Sequence, residues 1–263
     1  MLTFDNNKIG LFKFHILEQF PEIINFVTSR HDPYGNGNNF NIGYSGGTQE
    51  ECCANRLMLA NAIGVQPERF VFQNQIHRNN VYEVTEDDAG AGFYSKDTAI
   101  KDTDILVTSQ RGICIVTRSA DCIPVLLYSP DSQSVAAIHS GREGTYLGVA
   151  AKAAKELCKK YGAKYSNMVA CIGPGICGKC YEVDLDCASK FLNNNRFPPD
   201  TITMIGNKAY LDLKKMIFYD LLTTGLVANN IEISDICTKC SNEMFFSARA
   251  GDMQRFCAGI FMR

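Results

Sequence analysis

The sequence contains no tryptophan, only four histidines, no surplus of basic residues and no long apolar run. Its 26 Lys and Arg stand against 28 Asp and Glu, a formal net charge of -2. No excess positive charge is therefore present to neutralise a phosphate backbone, and nucleic acid is not an expected partner. Ile123 to Tyr128 is among the longest apolar stretches, far short of the roughly 18 residues that a membrane span requires. The N-terminal residues lack the basic, then apolar, then small order of a signal peptide. These absences lead us to expect a soluble, cytoplasmic protein with no membrane partner. No internal repeat and no Pro-, Ser- or charge-rich linker divides the chain, so residues 1–263 are expected to form a single domain.

Cysteine is plentiful by comparison, 12 in 263 residues or about 4.6%, yet below the 8–10% of a disulfide scaffold. In a reducing compartment these thiols are core residues, metal ligands or nucleophiles. The histidines His15, His31, His77 and His139 limit the partners available to them.

Periodicity predicts three helices. Thr48 and Glu51 have the spacing of a capping box, and Cys53, Leu57 and Ala60 then recur at helical spacing up to Gly64. A second helix is expected over about 144–161, with Leu147, Ala151, Ala154, Leu157 and Cys158 on one face and Gly162 as its cap. Asp212 caps a third, with Leu213, Met216, Ile217 and Leu221 inward and Gly225 ending it. Short β-rich runs at 70–76, 80–85, 104–109, 113–118, 124–128 and 134–140 follow at hairpin-like spacing, and further strands are expected at 168–172, 233–237 and 258–262. His31 to Gly47, polar and rich in Gly and Asn, reads as a long ordered loop. Strands outnumber helices without strict alternation, which favours an α+β domain with mixed sheets.

The strongest chemical constellation is His77 in Gln75-Ile-His-Arg, Cys122 in Ala120-Asp-Cys-Ile-Pro and His139 in Ala136-Ala-Ile-His-Ser-Gly. Each stands at the end or start of an apolar strand, where side chains from distant segments can meet at a sheet rim. Two imidazoles and a thiolate suit zinc, and three protein ligands match the donor count of a catalytic zinc site. Two satisfied histidines and a core cysteine remain the plainer reading at this point.

The chain resembles the YfiH-type family, also named multicopper polyphenol oxidase or laccase-domain proteins and now regarded as purine nucleoside phosphorylases. The blocks that carry the resemblance run nearly end to end: Asn41-Ile-Gly, Asn55-Arg56, Gln75-Ile-His77, Asp104-Ile-Leu-Val-Thr108, Ala120-Asp-Cys-Ile-Pro124, Ala137-Ile-His-Ser-Gly141, Ile172-Gly-Pro-Gly-Ile176, Cys180-Tyr-Glu-Val183, Tyr210-Leu-Asp-Leu213, Cys237-Thr238 and Phe246-Ser-Ala-Arg249. The resemblance implies an α/β/β/α layered fold with mixed sheets and metal ligands at His77, Cys122 and His139. It further implies a zinc-dependent enzyme that phosphorolyses adenosine, guanosine, inosine or methylthioadenosine, with adenosine deamination as a second activity. Purine nucleoside and phosphate would then be its partners. Lewis-acid chemistry is compatible with both reactions.

The chain departs from the family pattern in two places. The usual His-Ala-Gly-Trp-Arg-Gly is here His139-Ser-Gly-Arg-Glu-Gly144, which removes the aromatic and puts Glu143 where an arginine is usual. A carboxylate in a phosphate site would repel the substrate. The usual Gly-Arg pair near the C-terminus is Gln254-Arg255.

Asp121, Glu182 and Glu143 are the acidic candidates for proton transfer, because the H-x-E signature of zinc deaminases is absent after both His77 and His139. Arg30, Arg56, Arg249 and Arg255 are the cationic candidates for phosphate or ribose, Arg249 foremost, with Asn41 beside Arg30 as a further substrate contact. Cys177-Gly-Lys-Cys180 and Cys237-Thr-Lys-Cys240 form two C-x-x-C pairs, about 56 residues apart against the 15–20 of a zinc ribbon. A second metal, a redox pair and ordinary thiols are all open readings for them.

Gly43-Tyr-Ser-Gly-Gly47 matches a nucleophile elbow in form, but a turn before a helix explains it. Four histidines are too few for a multicopper centre, although a single copper on His₂Cys is geometrically possible. The competing readings are a Cys122–His139 thiol hydrolase or amidase, a copper-dependent polyphenol oxidase, and a binding module without turnover.

Overall fold

The computed structural model describes residues 2–5 and 8–263. In chain order its elements begin with β1 Leu2–Asp5, β2 Lys8–Phe14, β3 Ile23–Thr28, α1 Gln49–Ile63, β4 Phe70–Phe72, β5 Val81–Glu83, β6 Ile105–Thr108, β7 Cys114–Ser119, β8 Ile123–Ser129 and β9 Ser134–Ser140. They continue with α2 Arg142–Tyr146, α3 Val149–Tyr161, β10 Val169–Ile172, β11 Glu182–Val183, α4 Leu185–Leu192, β12 Ile202–Ile205, β13 Lys208–Leu211, α5 Leu213–Thr224, β14 Ile231–Ile233 and β15 Phe256–Met262.

Two six-stranded sheets have the orders β1-β2-β3-β15-β7-β4 and β14-β10-β8-β9-β6-β5, and β11-β13-β12 form a small third sheet. Both large sheets are mixed: β4 runs parallel to β7, β5 to β6 and β10 to β14, and the remaining neighbours are antiparallel. The sheets pack face to face through a core in which Val71, Ile115 and Ile260 of the first meet Leu106, Leu126 and Ala137 of the second. The outer face of the first sheet is covered by α1 through Leu59 and Ala60, and that of the second by α3, α4 and α5 through Ala153, Leu157, Phe191 and Ile217. This is the expected α+β fold, with mixed sheets in α/β/β/α layers. Every residue of β8 and β9 is buried, because both faces of this central hairpin are covered.

The α1 capping box is present at Thr48 and Glu51, with Gly64 left-handed at the other end. Its inner face differs from the expected one. Cys52, Arg56, Leu59 and Ala60 are buried, whereas Leu57 is exposed, because a charged Arg56 occupies the core side and donates to the carbonyls of Ile42, Gly92 and Phe93. The expected helix over 144–161 is two helices, broken at Gly148 with φ 70°. The positive φ favours glycine there, and a Cβ would also displace the guanidinium of Arg196 that lies against it. The α5 helix is as expected, from its Asp212 cap to Gly225.

Among the short runs, only β8 and β9 form a hairpin; β5 and β6 are also consecutive neighbours but run parallel, and β4 pairs with β7 and β6 with β9 across the sequence. The expected strand at 233–237 ends at Ile233, and the residues beyond it turn away as a loop. Strands β1–β3 and α4 carry weak sequence signals. In β3 the buried Asn25 interrupts the apolar pattern, its Oδ1 accepting from Phe14 N at 2.7 Å. No described helix is long and apolar enough to cross a membrane.

Candidate metal centre

The register of the central hairpin sets Pro124 opposite His139 and Ile123 opposite Ser140, which places Cys122, just before β8, beside the end of β9. His77 arrives from the loop between β4 and β5. One donor atom from each of His77, Cys122 and His139 lies within 4.8 Å of the others, and the two imidazole centroids are 4.7 Å apart. The three expected ligands therefore converge, from segments 62 residues apart at the extremes.

A residue that the sequence reading does not single out as part of the site holds them there. Asp104, fully buried just before β6, accepts the backbone N–H groups of Ile76, His77 and Arg78 at 3.3, 3.1 and 2.8 Å. Its Oδ1 also lies 2.7 Å from His139 Nδ1. A carboxylate can only accept here, so Nδ1 donates to it and Nε2 is left for the shared point between the ligands. The same loop puts His77 at φ 58°, and Asp121, next to the third ligand, stands at φ 91°. Backbone conformations that non-glycine residues rarely adopt are thus concentrated at this point of the fold.

Electrostatics couple the three groups. Burial opposes ionisation of Cys122, but the neighbouring His139 and His77 outweigh it and bring the thiol down to about 6. Burial likewise opposes charge on His139, yet Cys122 and Asp104 raise it to about 9. Asp104 is held below the usual carboxylate range: burial pushes it up, and the bonds from His139 and the backbone overcome that. Each of Cys122 and His139 thus favours the charged form of the other, against the burial of both.

The donor set fits a zinc-sized ion, with two imidazoles and a thiolate close enough for bonds of about 2.0–2.3 Å. Gly141 leaves room on one side, since a Cβ there would lie 3.0 Å from both Cys122 Sγ and His77 Nδ1.

His77, Cys122 and His139 line a cavity of about 490 Å³ whose wall also carries the phenols of Tyr44 and Tyr181 and the cations Lys96, Arg118, Arg249 and Arg255. Asp121 is the only carboxylate among the described lining residues. Both its oxygens are engaged: Oδ1 accepts from Thr238 Oγ1 and Oδ2 from Arg249 N, each at 2.7 Å. Arg118 stacks 4.4 Å from the Tyr44 ring and donates to Gln73 O, while its buried Nε has no hydrogen-bond partner. Burial lowers it only to about 10, so it remains charged at neutral pH.

The other sequence candidates are placed as follows. Arg249 reaches the cavity and stacks 5.0 Å from Tyr181 while donating to Glu182 O. Arg255 also reaches it. Glu182 lies outside the lining, its Oε2 bound to Lys208 Nζ at 3.0 Å and Tyr210 Oη at 3.1 Å. Glu143 is outside too and pairs with Lys190 at 3.0 Å, so its charge is compensated away from the cavity. Arg30 is tied to Asn38 O, Asn242 O and Asp252, and does not line the cavity. Asn41 is buried, its side chain accepting from Gly43 N and Arg255 N, and so it positions Arg255 rather than facing the cavity. Arg56 is a core residue.

Arg118, Lys96 and Tyr181, like Asp104, carry no individual signal in the sequence. Arg118 could have been found from its position, at the end of an expected strand immediately before the Ala120-Asp-Cys122 block.

The fold and sequence have known counterparts. The protein is 31% identical over 200 residues to purine nucleoside phosphorylase YlmD of Bacillus subtilis, covering 74% of this chain and 70% of that one. It is 32% identical over 196 residues to adenosine deaminase RL5 from an unknown prokaryotic organism, covering 74% of each. The crystal structure of the hypothetical protein YfiH of Bacillus licheniformis superposes with a TM-score of 0.91 at 26% identity, over 100% of this chain and 99% of that one. The sequence profile of the multi-copper polyphenol oxidoreductase laccase family matches residues 25–263, and the chain belongs to that family.

Proposed function

We propose that the protein is a zinc-dependent enzyme of purine nucleosides, and that phosphorolysis is its main reaction. One observation carries the reading: a three-ligand metal constellation shares a single cavity with four cationic side chains and two tyrosines. Aromatic faces suit a purine, and the cations suit phosphate. Names borne by two relatives, a purine nucleoside phosphorylase and an adenosine deaminase, support the same substrate class.

Zinc held by His77, Cys122 and His139 would supply Lewis acidity in this cavity. The chain's own residues do the rest. Arg118, whose buried Nε lacks a partner, Arg249 and Arg255 hold the phosphate dianion and orient it toward the ribose. Attack of an oxygen of HPO4²⁻ on C1′ forms the new C–O bond as the C1′–N9 bond breaks with its electron pair going to N9, and the proton carried by the phosphate passes to the departing purine, giving free base and ribose 1-phosphate. Tyr181 flanks the base and excludes water, which would otherwise compete with phosphate, while Tyr44 backs Arg118. Asp121 acts by position: its two accepted hydrogen bonds fix the Arg249 backbone and Thr238.

Phosphorolysis is favoured over deamination because the cavity offers no free carboxylate to move protons at C6, while it offers several cations. The test is chromatography of products from adenosine with the zinc-loaded protein, with and without phosphate, beside His139→Ala. Adenine formed only with phosphate and only by the wild type supports the proposal. Inosine formed without phosphate would establish deamination instead.

A second reading rests on one specific feature. The hydrogen-bonded Asp104–His139 pair beside the Cys122 thiolate has the order of a cysteine hydrolase triad. His77, converging on the same point, favours metal. Full activity toward an amide or ester after chelation would select the hydrolase, and a blue purified protein would select copper.

A further inference from the structure

The two C-x-x-C pairs are brought together by strand pairing. β10 and β14 are parallel neighbours with Ile172 opposite Ile233, and each is followed within a few residues by one pair. A bridge between Gly175 and Cys237 and a bond from Thr238 N to Gly175 O at 3.3 Å extend this parallel contact into the loops. Each pair forms the same tight turn: Tyr181 N donates to Cys177 O at 3.0 Å, and Ser241 N to Cys237 O at 2.9 Å. The buried Lys214 ammonium donates to Ser234 O and Ile236 O, clamping the approach to the second turn.

The four sulfurs all lie within 4.8 Å of one another, with Cys180 and Cys240 at 3.3 Å. A tetrahedral tetrathiolate with Zn–S bonds of about 2.3 Å requires sulfurs about 3.8 Å apart, between these values. Cys177 N also donates to Cys237 Sγ at 3.3 Å, a bond that favours sulfur as thiolate. Three of the four are not core thiols: Cys114, Cys171 and Cys257 are fully buried within the sheets, whereas Cys177 and Cys180 are half-buried and Cys240 is exposed, and only Cys237 of the four is buried. Four thiols converging at a partly exposed site fill no core, and a single disulfide would leave two of them unused.

We propose that Cys177, Cys180, Cys237 and Cys240 bind one zinc ion as a closed tetrathiolate, a second metal site separate from His77, Cys122 and His139. Four protein ligands leave no position for substrate, so the role is structural. The ion ties the loop bearing Tyr181 to the loop bearing Thr238. Those residues reach the cavity wall, Tyr181 directly and Thr238 through its bond to Asp121 Oδ1. The site therefore braces one side of the cavity without entering it.

The test is metal analysis of the full-length protein purified in reductant and loaded with zinc. Wild type should hold two zinc ions per chain, Cys122→Ala/His139→Ala one, and Cys180→Ser/Cys240→Ser one. Cys240→Ser alone, at an exposed position that the core does not need, should give the same loss of one ion with an unchanged circular dichroism spectrum. In the zinc-loaded wild type, peptide mapping after N-ethylmaleimide should find all four cysteines protected, and chelation should expose them. A zinc content unchanged by either cysteine variant would overturn the site, as would ready alkylation of the four in the loaded protein. Iron in place of zinc, or a Cys180–Cys240 disulfide persisting in reductant, would overturn the assignment of the ligand.

Discussion

The molecule carries two clusters of soft metal donors within one fold, and they are built by opposite means. The His₂Cys cluster gathers single residues from three separate segments around a buried carboxylate. The Cys₄ cluster gathers two ready-made turns from the ends of adjacent parallel strands. In the first, side-chain hydrogen bonds orient the donors; in the second, backbone turns do so. The first opens on a cavity lined with cations and tyrosines, and the second faces a partly exposed surface. Donor count and surroundings, rather than donor softness alone, separate a centre that can do chemistry from one that can only hold loops together.

The largest expected break of this comparison is His139→Ala. It should remove the metal of the His₂Cys cluster and abolish turnover while the Cys₄ cluster keeps its ion; full metal content in the purified variant would contradict the three-ligand site. Asp104→Asn should come next, with metal affinity at the cavity site reduced about 10- to 100-fold, because an amide cannot serve as the charged acceptor for His139 and three backbone N–H groups. Competition with a chelator measures it, and the cysteine cluster should be unaffected. Gly141→Ala should have a smaller effect. Its Cβ would press at 3.0 Å on Cys122 Sγ and His77 Nδ1, an overpacking cost of about 1–3 kcal/mol read as weakened zinc binding.

Alkylation kinetics of the metal-free protein sharpen the contrast further. The Cys122 thiol is brought down to about 6, so its reaction with iodoacetamide should persist to near pH 6 and fall only below it as the thiolate is protonated. Cys180 moves the other way, raised by burial and by its contacts with Cys240 and Cys177, so its alkylation should need alkaline pH. Equal profiles would remove this distinction between the clusters. The smallest effect serves as a control: Thr48→Ala removes the α1 cap and should lower stability by about 1 kcal/mol in urea denaturation, with the metal content of both clusters unchanged.

Much of this was legible in the sequence. Hydrophobic alternation and punctuation placed the central strands and the caps of α1 and α5, because these signals are local. His77, Cys122 and His139, which converge on the cavity, were singled out as strand-end residues. The inner face of α1 was misread because Arg56 looks like a surface residue until its carbonyl partners are known. Asp104 and Arg118 were not singled out because an acidic or basic residue beside a strand has no local mark of function. Their roles arise from groups 26 to 45 residues away.

The sequence by itself determined the class of fold, the two kinds of metal-binding side chain and the turns that carry the cysteine pairs, since periodicity and C-x-x-C spacing act within a few residues. Only the tertiary structure decided that His77 joins Cys122 and His139, that Asp104 orients them, and that the two cysteine turns meet. Those contacts depend on hairpin register and parallel strand order, which are selected by burying both faces of two sheets at once.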